Sequence, residues 1–314
     1  MKNKLLLFIL LILSVLSLFV GVNDLAPGDF LTGLSTDQSN LLWQIRIPRL
    51  ISILFAGMAM SMAGLIMQKI SQNKFVSPST SATVDSAKFG LLISIVVIKS
   101  NSILVRTLSA FVFSLLGTYL FMGLIRKVKI KNQVMIPLIG IMLGGIIDSV
   151  STFLAYQNDL IQNISSWLQG DFSMIIKGRY ELLFISLPLL ILSMAYANKF
   201  TVAGMGEDFS KNLGLNYNQI INLGLFIVSL LSSLVIITVG KIPFVGLIIP
   251  NIVTMIKGDN MEDIVVTTAL FGALFLLISD LISRILLFPY ELSISLTVGI
   301  IGSIIFLILL AKEL

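Results

Sequence analysis

The chain has no cysteine and no histidine in its 314 residues. Without cysteine there is no disulfide and no thiol nucleophile, and without either residue the usual soft metal ligands are missing. Any metal the chain handles must arrive already wrapped. Charge is also scarce: Asp, Glu, Lys and Arg make up 12% of residues, about half the share of a soluble domain. There is no G-x-x-x-x-G-K-[ST] phosphate loop, no G-x-S-x-G elbow and no histidine pair, so no catalytic constellation emerges and no cofactor is implied. If a nucleotide drives this protein, another chain hydrolyses it.

What remains is strongly apolar. Hydrophobic residues make up 56% of the chain and mean hydropathy is +1.01. A helix needs roughly 20 apolar residues to cross a bilayer, so the length suits an all-α membrane protein of about ten crossings, one transmembrane unit over 1–314. The net charge of +5 does not point to nucleic acid, because the basic residues are spread over inter-helix loops, as in an inner membrane protein. The start, "MKNKLLLFILLILSVLSLFV", has the basic lead and apolar run of a signal peptide. No A-x-A-like cleavage site follows, and it is read as a retained first span.

Apolar blocks predict spans near 5–21, 47–68, 81–98, 105–125, 134–156, 180–197, 217–239, 247–256, 264–286 and 294–311. An even number puts both termini on one side. Lys2, Lys4, Lys69, Lys74, the "RKVKIK" cluster at 126–131, Lys199, Lys211, Lys257 and Lys312 fall on one side. Arg46, Arg49, Lys99, Arg106, Lys177, Arg179, Lys241 and Arg284 fall on the other. The first, more basic side is predicted to be cytoplasmic, and the base-free first external loop, with its three aspartates, agrees.

Irregular backbone at membrane depth is tolerated only where protein or a wet cavity covers it. "GKIPFVGLIIPNI" (240–252), with Pro243 and Pro250, therefore predicts a short broken helix with a re-entrant approach within 240–256. Gly57, Ser61 and Gly64 are spaced to let another helix pack closely, and Met60, Met62 and Met67 read as packing on the same helix. Charges within spans are costly unless paired or wetted. Asp85 and Lys88, three apart, are expected to neutralise each other, as are Asp280 and Arg284, four apart. Asp148 has no evident partner in sequence and faces either a central cavity or a neighbouring helix. "GMGEDFSKNLGLNYNQI" (204–220) predicts a short capped amphipathic helix: Gly206, then Glu207 and Asp208, with Phe209 and Leu213 on one face and Gly214 ending it. Such a helix suits a docking partner or a lipid surface equally.

Five stretches in order, "RIPRLISILFAGMAMSMAGLIMQ", "NKFVSPSTSATVDSAKFG", "EDFSKNLGL", "GKIPFVGLIIPNI" and "SDLISRILLFPYELSISLTVGIIGSIIFLILL", resemble the FecCD-like permeases of iron-siderophore and cobalamin ABC importers, the type II importers. The resemblance runs from about residue 41 to the C terminus. It implies ten helices, a second permease subunit, two cytoplasmic ATP-binding subunits and an extracytoplasmic siderophore-binding protein. It further implies that Arg46, Arg49 and Arg284 face outward to receive acids of that binding protein, and that 204–216, within a cytoplasmic loop at about 198–216, is the helix coupling to the ATPase. Asn251 and Thr254 stand where many relatives have histidine and arginine, and "TVDSAKFG" replaces a "GVSSGA"-like stretch, departures resembling the ferric catecholate subgroup. Haem and cobalamin are the alternative cargoes. The translocation path is expected to involve Asp85, Lys88, Asp148, Pro243, Pro250 and Asn251. Two other classes are weighed: an ion-coupled transporter with Asp85, Lys88 and Asp148 as a proton relay, and an intramembrane enzyme, for which no nucleophile and base pair exists.

Overall fold

A computed structural model describes residues 3–21, 28, 29, 33, 35–127 and 134–313. Lys2, Lys129, Lys131, the Lys312 side chain and most of the loop at 22–34, all used above to orient the chain, lie outside this description. Thirteen helices carry the described fold: α1 Asn3–Phe19, α2 Thr36–Ile70, α3 Thr83–Val96, α4 Ile103–Lys127, α5 Met135–Gln157, α6 Ile161–Leu168, α7 Ser186–Ala195, α8 Ala197–Ala203, α9 Glu207–Asn212, α10 Tyr217–Thr238, α11 Val245–Lys257, α12 Met261–Ile285 and α13 Ile294–Glu313. Six of them (α2, α4, α5, α10, α12 and α13) are long and apolar enough to cross a membrane, and α7 with α8, bent by 62°, makes a seventh if taken as one broken span. The span expected near 180–197 is thus a 3-10 turn at Glu181–Ile185 and two helices meeting at an angle.

α2 starts earlier than the apolar run because Ser35 and Gln38 form a capping box, each side chain bonding the other's backbone N–H at 3.2 and 3.0 Å. Pro48 lacks an N–H and its ring crowds the carbonyl four residues back, that of Gln44. There the helix widens into a π turn at Leu42–Arg46, and the Gln44 carbonyl accepts instead from the Lys177 N–H at 3.1 Å. Beyond this turn α2 is almost wholly buried and packs on α12, α10 and α11.

These crossings depend on small residues. A Cβ on Gly57 would lie 2.5 Å from the Gly272 carbonyl oxygen of α12, and one on Gly64 only 1.8 Å from that of Gly246 in α11. Ser61 fits against Gly272 between them. The expected close-packing role of this triplet therefore holds, with two different partner helices. α3 is tied to α4 in the same way, Gly117 seating Ser86 and Gly90 meeting the Ser109 backbone.

Two helices begin deep in the protein after irregular approaches: α3, after residues 71–82, and α11, after 239–244. The α11 approach pairs Gln169 with Lys241 in a single parallel bridge, and Gly240, at φ +101°, has no room for a side chain against Gln169 and Gly170. Phe244 takes a left-handed conformation, φ 63°, and its ring enters the gap left by Gly302 on α13. α11 itself is continuous, with Pro250 inside it. The short element expected at 247–256 is present, and its irregularity lies in the approach.

If backbone contact at α2 holds the bundle, Gly64→Ala lowers stability by about 1–3 kcal/mol through overpacking. Gly123→Ala, where no atom lies within 4 Å of the added Cβ, is neutral or stabilising by helix propensity. Detergent-solubilised melting curves compare the two, and equal midpoints would show that the α2–α11 crossing can spread without cost.

Candidate functional site

A cavity of about 390 Å³ is lined by Val84, Asp85 and Lys88 of α3, Asp148 of α5, α6, and the segment bearing Lys241 and Pro243. The local Asp85–Lys88 pair expected from spacing does not form. Lys88 donates to Asp148 at 2.7 Å, and Asp85 pairs with Lys241 at 3.2 Å. The reason is geometric: α5 and the α11 approach bring opposite charges against α3 from two sides, and each offers a shorter reach than the neighbour along the helix. In each pair one member is mostly covered, Lys88 at 16% and Asp85 at 14% side-chain exposure, and its partner is about half exposed. Asp85 Oδ2 is turned toward α5, where a Cβ on Gly144 would sit 2.4 Å from it.

Four of the six expected path residues, Asp85, Lys88, Asp148 and Pro243, therefore share one cavity. Pro250 and Asn251 do not line it. The Asn251 amide donates to the Lys74 and Leu247 carbonyls at 2.9 and 2.8 Å, and Gln68 of α2 donates to the same Leu247 carbonyl at 3.2 Å. Their place is in the α2–α11 contact, because Pro250 and Asn251 lie further along α11, among buried neighbours.

The three arginines expected to face outward are instead buried, Arg46, Arg49 and Arg284 at 5–8% exposure. Asp280, 1% exposed, joins two of them, Arg49 and Arg284. One of its oxygens takes Arg49 Nε and Nη2 at 3.2 and 2.8 Å, and the other lies 2.5 Å from Arg284 Nη2, so the expected i,i+4 pair is present. Arg49 also reaches Glu291 at 2.7 Å. Arg284 donates to the Ser17 and Val20 carbonyls at 3.0 and 2.9 Å, and Arg46 donates to the Leu18 carbonyl. The last carbonyls of a helix have no partner within it and carry its negative dipole end, so α1 draws both guanidiniums inward.

At the opposite end of α2, α9 is the predicted short helix. Gly206, φ +111°, precedes it and Gly214, φ +73°, follows. Glu207 and Asp208 occupy its first turn. Phe209 and Leu213 are 47% and 57% exposed, and Met205, just before the helix, is exposed as well. Glu207 and Lys211 pair at 2.8 Å, which holds the carboxyl below its usual range and the ammonium above. Beside α9 lies a recess of about 510 Å³ lined by Lys69, Asn73, Met205, Thr254, Asp259 and other residues.

Residues 9–312 match the FecCD transport family. The chain belongs to this family. It is 55% identical over 313 residues to the petrobactin import system permease protein YclN of Bacillus subtilis (strain 168), covering 100% of this chain and 99% of that one. It is 42% identical over 267 residues to the ferric-anguibactin transport system permease protein FatD of Vibrio anguillarum (strain ATCC 68554 / 775), 85% of each chain. A solved inward-facing structure of a metal-chelate type ABC transporter superimposes with a TM-score of 0.84 at 25% identity, covering 99% of this chain and 98% of that one.

Two residues complete these sites in this FecCD-family chain without having stood out in sequence. Lys241 reads only as a loop base, and Glu291 as a loop acid; the one available signal is that each adjoins a proline-bearing stretch, "GKIP" and "FPYE". Asp280 supplies the test of the arginine cluster. Asp280→Asn leaves two buried guanidiniums short of a counter-charge and costs about 3–5 kcal/mol of stability. Melting or denaturant midpoints measure it, and a loss under about 0.5 kcal/mol would mean that water already screens the cluster.

Proposed function

We propose that this chain is the membrane-spanning permease subunit of an ATP-driven importer that carries a ferric siderophore across the cytoplasmic membrane. The observation that carries this reading is end-to-end similarity, at 55% identity, to a petrobactin import permease. The chain's own chemistry agrees: it holds no phosphate loop, and transport must be energised by a separate ATP-binding subunit.

In this reading the chain is a single domain that crosses the membrane ten times. To the six long helices and the bent α7–α8 pair it adds three shorter ones, α1, α3 and α11, of 17, 14 and 13 residues. At about 1.5 Å per residue the last two reach only part of the way across, and their irregular approaches complete the crossing. The apolar exposed sides of α5 and α13 are left for lipid and for a second permease subunit. The end with α9 is cytoplasmic, with both chain termini, and the arginine end faces the siderophore-binding protein. Acids of that protein would not meet free arginines there; they would have to exchange with Asp280 and Glu291 on Arg49.

α9 is the coupling helix, with Phe209 and Leu213 seated in a cleft of the ATPase and Gly206 and Gly214 fixing its ends. Closing of the ATPase dimer then moves it as a lever on α8 and α10, which it packs against. Deleting the chain in an iron-starved host should abolish ATP-dependent uptake of radiolabelled iron on one siderophore class. Uptake that survives ATP depletion and collapses with an uncoupler would overturn the reading in favour of an ion-coupled carrier. Phe209→Asp with Leu213→Asp is expected to leave ATPase turnover intact while cutting uptake at least tenfold. Normal uptake in that variant would reject the lever.

A further inference from the structure

The cavity at α3 contains more than an opening. Two ammonium groups, Lys88 and Lys241, stand on its wall, each held by a single aspartate that comes from a different element. We propose that Lys88 and Lys241 form a transient station for an anionic iron chelate, in which chelate oxygens replace Asp148 and Asp85 as partners of the two lysines; this rests on the importer reading above.

Three observations favour an anion over a cation. Each ammonium has three donors and uses one in its pair, so both keep capacity for an incoming oxygen. Asp85, the covered acid, has one oxygen engaged by Lys241 and the other packed close to Gly144 of α5, which leaves it little to offer a cation. Lys241 is about half exposed on a flexible stem, but its backbone is fixed: its N–H bonds the Leu168 carbonyl at 2.9 Å and its own carbonyl accepts from Ser295 at 2.8 Å. The ammonium can swing from Asp85 to a ligand without moving the wall. A ferric complex of catecholate and carboxylate oxygens is an anion, since six such oxygens outweigh the charge of Fe(III). The aspartates keep the station weak, because each lysine regains a partner when the chelate leaves.

The test uses the permease assembled with its ATPase subunits in nanodiscs of zwitterionic lipid. Equilibrium dialysis at neutral pH compares a ferric hexadentate tris-catecholamide, a trianion, with a ferric tris-hydroxamate macrocycle of similar size and no charge. The trianion should be retained in preference to the neutral complex, with retention falling as salt is raised. Lys88→Gln with Lys241→Gln should weaken trianion binding by about tenfold, to the level of the neutral complex, and Lys88→Arg with Lys241→Arg should restore it. Asp148→Asn, at the half-exposed acid, should strengthen it, and decides the matter if the double Gln variant does not assemble. Equal retention of the two complexes by the wild type, unchanged retention by the double Gln variant, or no gain with Asp148→Asn would each overturn the station. A wild type that imports labelled iron with ATP yet fails this test loses only the station; one that imports none loses the importer reading itself.

Discussion

The backbone-to-backbone approach of α2 to α11 and α12 is the constraint on which the rest of the chain depends. In hydrocarbon there is no water to drive helices together, so contact must come from fit, and Gly57, Ser61 and Gly64 provide it along one helix for two partners. Because α2 is thereby the central rod, what hangs from its ends is fixed relative to the middle. One end carries Arg49 into the Asp280 cluster and Arg46 to the Leu18 carbonyl; the other presents Lys69 to Asp259 at 3.4 Å, beside the recess next to α9. The two ends are joined by a helix that has little freedom to bend where it is buried.

Charge is handled in two distinct ways along this rod. Around Asp280 the groups are nearly dry, Arg49 and Arg284 each have several partners, and removing one partner would strand the others, so this end is rigid. Around α3 each pair has one half-exposed member and one bond, the regime in which an ion pair contributes about 0–1 kcal/mol and partners exchange readily. The contrast suits the first cluster to a fixed structural end and the second to the proposed path.

Much of this was legible in the sequence because it is local. The α2 small-residue stripe, the glycine-bounded α9 and the Asp280–Arg284 pair all depend on spacings of three to eight residues, which helix geometry converts directly into positions. The errors came where the partner lies far along the chain. Lys88 is 60 residues from Asp148 and Asp85 is 156 from Lys241, so the i,i+3 neighbour was the one partner that periodicity offered. The burial of the arginines was missed for a related reason: a positively charged group at a helix mouth reads as exposed unless one knows that Asp280, 231 residues away from Arg49, and the end of α1 arrive at the same place. Pro250 drew attention as a helix breaker and Asn251 as a departure from the resembled family, yet the irregular backbone lies earlier, at Gly240 and Phe244.

If the cavity is the proposed chelate station, the weakness of its ion pairs matches what an importer's membrane path must do. A cargo held with micromolar affinity within the permease would sit in a well of about 8 kcal/mol, whereas millimolar affinity corresponds to about 4 kcal/mol and allows rapid exit. A bare pair of lysines facing a multiply charged anion would tend toward the deeper well. In the proposed station Asp85 and Asp148 would counter this by making each new chelate contact an exchange, one oxygen for another on the same ammonium, so that only the difference between the two partners contributes to binding. The same exchange keeps the lysines neutralised when no cargo is present, which is the condition under which buried charge is tolerated within a membrane-spanning protein.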